Sequence, residues 1–133
     1  MPTTIPEPYA DLMKPEKKAF AFLATARKDG RPQVTPVWFA WDGTHLLINT
    51  ARGRIKDRIM LENPHVAIAI TDPANPYRYI QIQGKVVDHT EEGARTHIDT
   101  LAEKYLGQHS YPYYQGETRV IYKIQPERVQ TQG

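Results

Sequence analysis

The fold is decided by the stretch Phe20-Ala-Phe-Leu-Ala-Thr-Ala-Arg-Lys-Asp-Gly-Arg-Pro-Gln-Val-Thr-Pro-Val-Trp-Phe-Ala-Trp41. A compact apolar run from Phe20 to Arg27 is followed by Asp29-Gly30, and a second apolar run extends from Gln33 to Trp41. Asp-Gly between two such runs is a strong β-hairpin signal, because glycine accepts the positive φ that the turn needs. Pro36 cannot donate a hydrogen bond to a neighbouring strand, so the return strand is predicted to be an edge strand, or to be bulged or broken there.

The pattern continues in both directions as further hairpins and a few helices. A turn at Asp42-Gly43-Thr44 leads into the run His45–Thr50, which makes the first three strands a meander. Residues 51–62 and a stretch capped by Thr90 and stopped by Gly107 have helical spacing. The remaining predicted strands are His65–Thr71, Tyr77–Asp88 with a possible bulge at Gly84, and Arg119–Ile124, which Pro126 is expected to end.

Successive strands come as hairpins and do not alternate with helices. This order predicts a mainly β (α+β) protein, an antiparallel barrel of about six strands with peripheral helices. Residues 1–19 are expected to form an N-terminal arm, extended over residues 1–8 and then folded into a short helix or two turns that break near Pro15. Residues 20–130 are expected to form one barrel domain, as the length of 133 residues allows.

Composition excludes several classes of function. The chain has no cysteine, so it holds no disulfide, thiolate metal site or cysteine nucleophile, which favours a cytoplasmic location. It shows neither a signal-peptide pattern nor the roughly 18 apolar residues that span a bilayer. A net charge of +2 is too weak to indicate nucleic-acid binding. No histidine lies in a metal-binding spacing and no hydrolytic motif is present, so no metal site is expected and any catalysis would rely on a cofactor.

The most informative segment runs from Asn49 to Arg58. It contains four cations and one acid, a local charge of +3, at the point where a predicted strand ends and a predicted helix begins. A helix N-terminus presents unpaired N–H groups and the positive end of its dipole, which suits a phosphate. The spacing of a P-loop is absent, and a solvated basic helix face would explain the same composition.

Three further segments are candidates for ligand contact. Gln33–Phe39 is a proline-interrupted strand that could face a planar ring, or simply an edge strand with an aromatic core. Asn75–Tyr79 places two tyrosines around Arg78, which suits ring stacking, although a surface turn has the same composition. The Tyr111–Tyr114 loop is either a lid over a substrate or a packed loop. The five histidines are interpreted as structural.

Taken in order, these segments resemble a known family. The set is Thr25–Trp38, Asp42-Gly43, Ile48–Lys56, Leu61–Ala67 and Tyr79–Gly84. It resembles the pyridoxamine 5′-phosphate oxidase-like superfamily, and within it the branch of small F420-dependent reductases. The resemblance covers about residues 20–129. It implies an FMN-binding split β-barrel and a homodimer whose two cofactor sites lie at the subunit interface.

The resemblance also implies roles for particular residues. The cofactor phosphate would be held by the segment that contains Asn49, Thr50, Ala51, Arg54 and Lys56. The tricyclic ring would face Pro36, Val37 and Trp38. The other side of the interface would contribute Pro76, Tyr77, Arg78 and Tyr79. Neither Arg52 nor Arg58 aligns with a fixed role, and no catalytic side chain can be named.

The cofactor is either the deazaflavin F420 or FMN. FMN ends in one phosphate, whereas F420 continues through a phosphodiester to an oligoglutamate tail, and a segment of charge +3 suits the longer anion better. The implied function is an oxidoreductase in which reduced F420 passes a hydride to a small conjugated, electron-poor substrate such as an enone or quinone. An FMN-dependent oxidoreductase of the same fold and a non-catalytic F420 or FMN carrier are the alternatives. Neither nucleic acid nor membrane is expected as a partner.

Overall fold

Seven antiparallel strands form one curled sheet in the computed structural model, which describes residues 4–133. The order across the sheet is β2-β1-β5-β6-β7-β4-β3. The mainly β class with few helices is therefore confirmed. The strands are β1 (Ala21–Ala26), β2 (Pro32–Val37), β3 (Phe39–Trp41), β4 (Leu46–Ala51), β5 (His65–Asp72), β6 (Asn75–Thr90) and β7 (Arg119–Gln132). The helices are α1 (Ile55–Glu62), α2 (Ala94–Leu106) and two 3₁₀ helices, Glu7–Met13 and Pro15–Lys17.

The hairpin that decides the fold is present with the predicted turn. Strands β1 and β2 pair antiparallel from Ala21↔Val37 to Ala26↔Pro32, and Gly30 in the turn has a φ of +93°. Strand β2 lies at the edge of the sheet, where a proline that lacks an N–H is tolerated. The return run expected from Gln33 to Trp41 is interrupted at Trp38 and forms two strands, β2 and β3, at opposite edges of the sheet. The prediction that the first three strands form a meander is therefore wrong. That interruption gives seven strands in place of the six expected.

The long β6–β7 pair corrects one strand boundary. The prediction that Pro126 ends the last strand is wrong, because β7 continues to Gln132. Pro126 pairs with Gly84 next to a register shift, and this bulge, predicted at Gly84, lets the strand accommodate a proline. A Cβ at Gly84 would lie 2.8 Å from Ile124 Cγ2 and 2.9 Å from the Gln125 carbonyl oxygen, so only glycine fits here.

Helix α2 begins later than its sequence predicts. Thr90 is the last residue of β6, and Gly93, with a φ of +76°, occupies the N-cap position. The expectation that Thr90 caps the helix is therefore wrong; its hydroxyl accepts a bond from the Glu92 N–H within the preceding turn. The end at Gly107, with a φ of +70°, is confirmed. The buried residues of the helix, Ala94, Ile98, Leu101 and Ala102, lie three or four positions apart on one face.

The N-terminal segment packs on the barrel. Leu12 and Met13, in the first 3₁₀ helix, are buried in the same cluster as the inward-facing residues of the strands. This helix starts at Glu7, so the arm is shorter than expected, and residues 1–3 of the predicted arm lie outside the described residues. Pro15 separates the two 3₁₀ helices, as predicted. Within residues 4–133, no helix has the length and hydrophobicity that crossing a bilayer requires.

Candidate functional site

The basic segment forms a tight connection between β4 and α1 that one buried carboxylate holds together. Asp57 accepts hydrogen bonds from the Gly53 N–H at 2.9 Å, from Arg52 Nη1 at 3.0 Å and from the Tyr122 hydroxyl. Burial opposes the charged form of Asp57, but these hydrogen bonds outweigh burial and lower the pKa of its carboxyl group. Gly53 has a φ of +90°, which the turn into the helix requires. The conformation of the segment is therefore fixed from inside the protein.

Arg52 serves this internal clamp. Besides Asp57, it donates to the Glu91 carboxylate at 3.0 Å and lies 3.1 Å from His89 Nδ1. Its guanidinium is thus satisfied within the chain. Arg54 and Arg58 are exposed, while Lys56 is half-buried.

Lys56 is the centre of a positive surface. No ion pair among residues 4–133 involves it. Burial lowers the pKa of Lys56, and repulsion from Arg54 and Arg119 lowers it further. These three residues, Arg54, Lys56 and Arg119, are called the cation cluster below. Beside them, the N-cap residue of α1 makes no side-chain hydrogen bond to the first turn of the helix. The N–H groups of that turn, at the positive end of the helix dipole, therefore remain available to an anion.

Arg119 connects the cation cluster to a chain of oriented donors. Arg119 Nε donates to Asn49 Oδ1 at 2.8 Å, which fixes the amide so that Asn49 Nδ2 faces the Ala94 carbonyl at 2.9 Å and His97 Nδ1 at 3.0 Å. His97 Nδ1 must then accept, and the proton of the neutral ring lies on Nε2. Burial, and then Arg119, lower the pKa of His97 to about 4, so the ring is neutral at pH 7. His97 Nε2 is buried and has no partner among the described residues.

Thr50 contributes a second unpaired polar atom. Its side chain is buried, and its hydroxyl has no partner among residues 4–133. Neighbouring residues of a strand point to opposite faces, so Thr50 and Asn49 project to different sides of β4. Ala51, the next residue, is buried and pairs with Arg119 across the β4–β7 ladder. Of the segment's predicted phosphate contacts, Asn49, Arg54 and Lys56 are therefore grouped with Arg119, and Thr50 lies beneath them.

Trp38 joins this surface through aromatic contacts. Its indole stacks on Tyr105 at 5.3 Å between ring centroids and meets Tyr111 edge-on at 6.0 Å. Arg119 lies over the other part of this group, 5.3 Å from the Tyr111 ring. Pro36 is exposed on the edge strand, and Val37 packs against the core. Of the predicted ring-facing residues, only Trp38 is thus connected to the cation cluster, through Tyr111 and Arg119.

The remaining predicted segment lies elsewhere in the protomer. From Tyr79 to Thr90, strand β6 runs roughly 35 Å at about 3.3 Å per residue, and only the Thr90 end lies beside the cation cluster. Tyr77 is 82% exposed. Arg78 is engaged by Asp11 and Asp72 and by the Pro8 carbonyl, so its charge anchors the N-terminal segment. Pro76 is exposed, and the Tyr79 hydroxyl contacts Gln132 at 3.4 Å. Within one protomer these four residues do not join the site.

Comparison with known proteins agrees with the geometry. The family described as pyridoxamine 5′-phosphate oxidase matches residues 10–133. The chain belongs to this family. Among solved structures, one named F420 reductase is 36% identical to this family member, with a TM-score of 0.84 and coverage of 95% of this chain and 98% of that one. No curated protein matches the chain.

More distant structures of the family share the fold. A putative pyridoxamine 5′-phosphate oxidase from Listeria innocua is 20% identical, with a TM-score of 0.70 and coverage of 94% of this chain and 95% of that one. HutZ, the heme storage protein from Vibrio cholerae, is 19% identical, with a TM-score of 0.66 and coverage of 96% and 94%. At these identities the likeness shows the split-barrel fold of the family and nothing finer.

Sequence reasoning missed two residues of the site in this family member. Arg119 is the first residue of the last strand and lies 70 residues from its partner Asn49 in the sequence. Nothing in its local sequence distinguishes it from other arginines at the end of a strand. His97 lies just off the apolar stripe of α2 and was interpreted as structural; its unpaired Nε2 becomes visible only once Asn49 is placed beside it. The signal that could have found Arg119 is the antiparallel pairing of the basic segment with the final strand, whereas His97, on α2, has no such signal in the sequence.

The chemistry of the donor set fits an anionic group. Three cations converge beside an uncapped helix N-terminus, and one carboxylate, Glu117, pairs with Arg119 at 3.0 Å. A buried N–H donor on His97 lacks an acceptor in the part of the chain that the structure describes. Phosphate and carboxylate oxygens accept from such donors, and arginine and lysine supply them as a planar fork and a point charge. A flavin-type cofactor carries such an anion next to a planar ring, and the Trp38–Tyr111 group supplies an aromatic wall nearby.

Proposed function

We propose that the chain is an oxidoreductase that uses reduced F420 as hydride donor to a small, conjugated, electron-poor substrate. The observation that carries the proposal is the cation cluster with its unsatisfied donors, set beside an aromatic wall. The 36% identity to an F420 reductase over nearly the whole chain supports the same conclusion. Without a hydrolytic motif, the chemical step is assigned to the cofactor.

Each part of the site has a physical role in this function. Arg54, Lys56 and Arg119, with the first N–H groups of α1, hold the anionic part of the cofactor. When bound, the reduced deazaflavin supplies a hydride to the substrate's electron-poor double bond. The Trp38–Tyr111 wall orients the planar part and excludes water from that face, which fixes the reacting groups in position. His97 stays neutral and donates from Nε2 to an anionic oxygen.

The charge of the site favours F420 over FMN. A single phosphate can be neutralised by one or two cations, whereas the cation cluster contains three and Arg58 is exposed on the same helix. A phosphodiester followed by several carboxylates carries more negative charges, so it can pair with more of these cations. An FMN-dependent oxidoreductase of the same fold is the second candidate, because both cofactors share a tricyclic ring and a phosphate.

We also propose that the working form is a homodimer with the site at its interface. Phe22 and Val34, on the outer face of β1 and β2, are 40% and 64% exposed, and Pro36 continues this apolar face. Exposed apolar patches of this kind mark interaction surfaces. A partner protomer would bring its own Pro76–Tyr79 segment to a site that one protomer leaves open. Light scattering of the wild type and of Val34→Lys tests this: a dimer that dissociates on substitution is expected, and a wild-type monomer would refute it.

The cofactor assignment is tested by titrating the cofactor-free protein with F420 and with FMN, followed by ligand fluorescence. Tight binding of F420 with much weaker binding of FMN is expected. Lys56→Met should weaken F420 binding at least about tenfold, because a half-buried charge that pairs with the anion is lost. Lys85→Met, at an exposed lysine on β6, is the matched control and should bind as the wild type does.

Other outcomes would redirect the assignment. A preference for FMN would move the protein to flavin chemistry, and binding of neither would remove the basis for an oxidoreductase. Tight F420 binding without turnover of enones or quinones would make it a carrier. Unchanged F420 affinity in Lys56→Met would show that the anion lies elsewhere.

A further inference from the structure

Besides Lys56, Lys104 is a half-buried lysine without an ion-pair partner among the described residues, and it lines a cavity away from the cation cluster. The cavity, of about 310 Å³, is bounded by α2, β3 and the N-terminal 3₁₀ helices. Most of its wall is apolar, formed by Met13, Pro15, Ala40, Trp41 and Leu101. The polar side chains that reach it are Thr100, Glu103 and Lys104. Volumes of this size accommodate small organic ligands.

Lys104 is half-buried in this wall. Its Nζ donates to the Phe39 carbonyl at 2.7 Å and lies 4.1 Å from the centre of the Phe39 ring and 4.7 Å from that of Tyr105. No ion pair among residues 4–133 involves Lys104. Burial alone lowers the pKa of Lys104 to about 8, with no opposing contribution from an acid. Glu103 lines the same cavity but is exposed.

An ammonium group in this position is incompletely satisfied. It has three N–H donors, and the bond to the Phe39 carbonyl uses one of them, while Lys104 also lines the cavity. Removing a charge from water is unfavourable unless it is paired, and a carboxylate is the partner that best offsets that penalty. Lys56 and Lys104 are both half-buried lysines whose pKa is lowered and which form no ion pair among residues 4–133. For Lys56 the family's anionic cofactor explains it, whereas nothing assigned so far explains Lys104.

We infer that this cavity binds a small aromatic carboxylate, whose carboxylate group pairs with Lys104 and whose ring packs against Trp41 and Met13. Trp41 offers an indole surface, and the thioether of Met13 contacts aromatic rings favourably. The apolar walls exclude a strongly hydrated inorganic anion, since such an ion would lose its water without gaining more than one cationic partner.

The cavity is separate from the cofactor site. Lys104 follows His97 by about 10 Å along α2, at about 1.5 Å per residue. The two sites use different tryptophans, because Trp41 lines the cavity whereas Trp38 contacts Tyr111. They meet at Tyr105, whose ring lies 4.7 Å from Lys104 Nζ and stacks on Trp38. The inference therefore stands whether or not the cation cluster binds F420.

The chain contains two tryptophans, which gives the experiment an internal control. The wild-type protein is labelled with ¹⁵N and titrated with 2-naphthoate, and the two indole N–H resonances are followed by NMR. The Trp41 resonance should shift saturably and further than that of Trp38, which is connected to Lys104 only through the Tyr105 ring. The neutral analogue 2-naphthamide should bind at least about tenfold more weakly, because it cannot form the ion pair.

Variants separate a binding role of Lys104 from a structural one. Lys104→Met should lose the preference for 2-naphthoate over 2-naphthamide, whereas Lys85→Met, at an exposed lysine outside both sites, should keep it. Glu103→Gln leaves the Lys104 contacts in place and should bind 2-naphthoate as tightly as the wild type or more tightly. Equal binding of naphthoate and naphthamide to the wild type, a shift of Trp38 alone, or no shift at either tryptophan would overturn the proposal.

Discussion

Replacing Asp57 by asparagine should destabilise the protein more than any other isosteric change in the basic segment. Both carboxylate oxygens of Asp57 accept only from donors: the Gly53 N–H at 2.9 Å on Oδ2, and Arg52 Nη1 and the Tyr122 hydroxyl on Oδ1. An asparagine has one acceptor oxygen and must direct its NH₂ group at one of these donors. Neither orientation of the amide therefore preserves the network.

The expected loss follows from these contacts. Hydrogen bonds to a charged group contribute about 1.5–3 kcal/mol each, and the bond to Arg52 counts for less because that side chain is 26% exposed. With the asparagine oxygen facing Arg52 and Tyr122, the bond from the Gly53 N–H is lost, the NH₂ group opposes that donor, and the two remaining bonds lose their charged acceptor. Together these changes give a decrease of about 2–4 kcal/mol in the free energy of unfolding at pH 7. Glu91→Gln, at the 55% exposed outer partner of Arg52, should change it by less than about 1 kcal/mol.

Urea denaturation followed by tryptophan fluorescence measures both variants. Because the pKa of Asp57 is lowered below its ordinary 3.8, its stabilisation is complete above that value and is lost as the pH falls through the folded pKa. Asp57→Asn should lose this acid-side dependence. A variant within about 0.5 kcal/mol of the wild type at pH 7 would refute the clamp.

Three other results are expected from single substitutions. Gly84→Ala should lower the free energy of unfolding by about 1–3 kcal/mol in urea titrations, because the new methyl group would lie 2.8 Å from Ile124 Cγ2 and 2.9 Å from the Gln125 carbonyl; an unchanged midpoint would mean that the bulge relaxes freely. His97→Gln should flatten the stability profile between about pH 6.5 and 4, because in that window the unfolded chain binds a proton at this histidine that the folded chain, with a pKa of about 4, does not; an identical acid profile would contradict the buried neutral ring. Arg78→Met should speed proteolysis within residues 7–17, seen by mass spectrometry, because Asp11 loses its tether; cleavage at the wild-type rate would show that the tether is dispensable.

Local signals in the sequence predicted the hairpins well. Asp29-Gly30 and Asp42-Gly43 encode their turns through a single glycine each, with φ of +93° and +99° at Gly30 and Gly43, and depend on no distant partner. The prediction of where α2 starts was wrong because that boundary depends on a distant partner. Thr90 has the residue type of an N-cap, but its pairing with Ile121 extends β6 through it. Long-range pairing overrode the local preference there.

The candidate site could be predicted only in part, because its residues are distant in sequence. The basic segment is contiguous, so Asn49, Arg54 and Lys56 were found from composition. Arg119 was not, since its role depends on β7 lying beside β4. Arg78 was assigned to the cofactor because it stands between tyrosines, whereas its partners Asp11 and Asp72 come together only in the folded chain. Whether it also serves a neighbouring protomer stays a prediction.

The anchoring of the N-terminal segment has a consequence for how the molecule opens. Leu12 and Met13 share the barrel core, and Arg78, near the start of β6, ties Asp11 to Asp72 at the end of β5. Amide hydrogens in the first 3₁₀ helix and in this end of β6 should therefore exchange with solvent through one shared opening event and not independently. Any contact that draws Arg78 away would loosen both places at once, so the Pro76–Tyr79 segment and the N-terminus behave as a single mechanical unit.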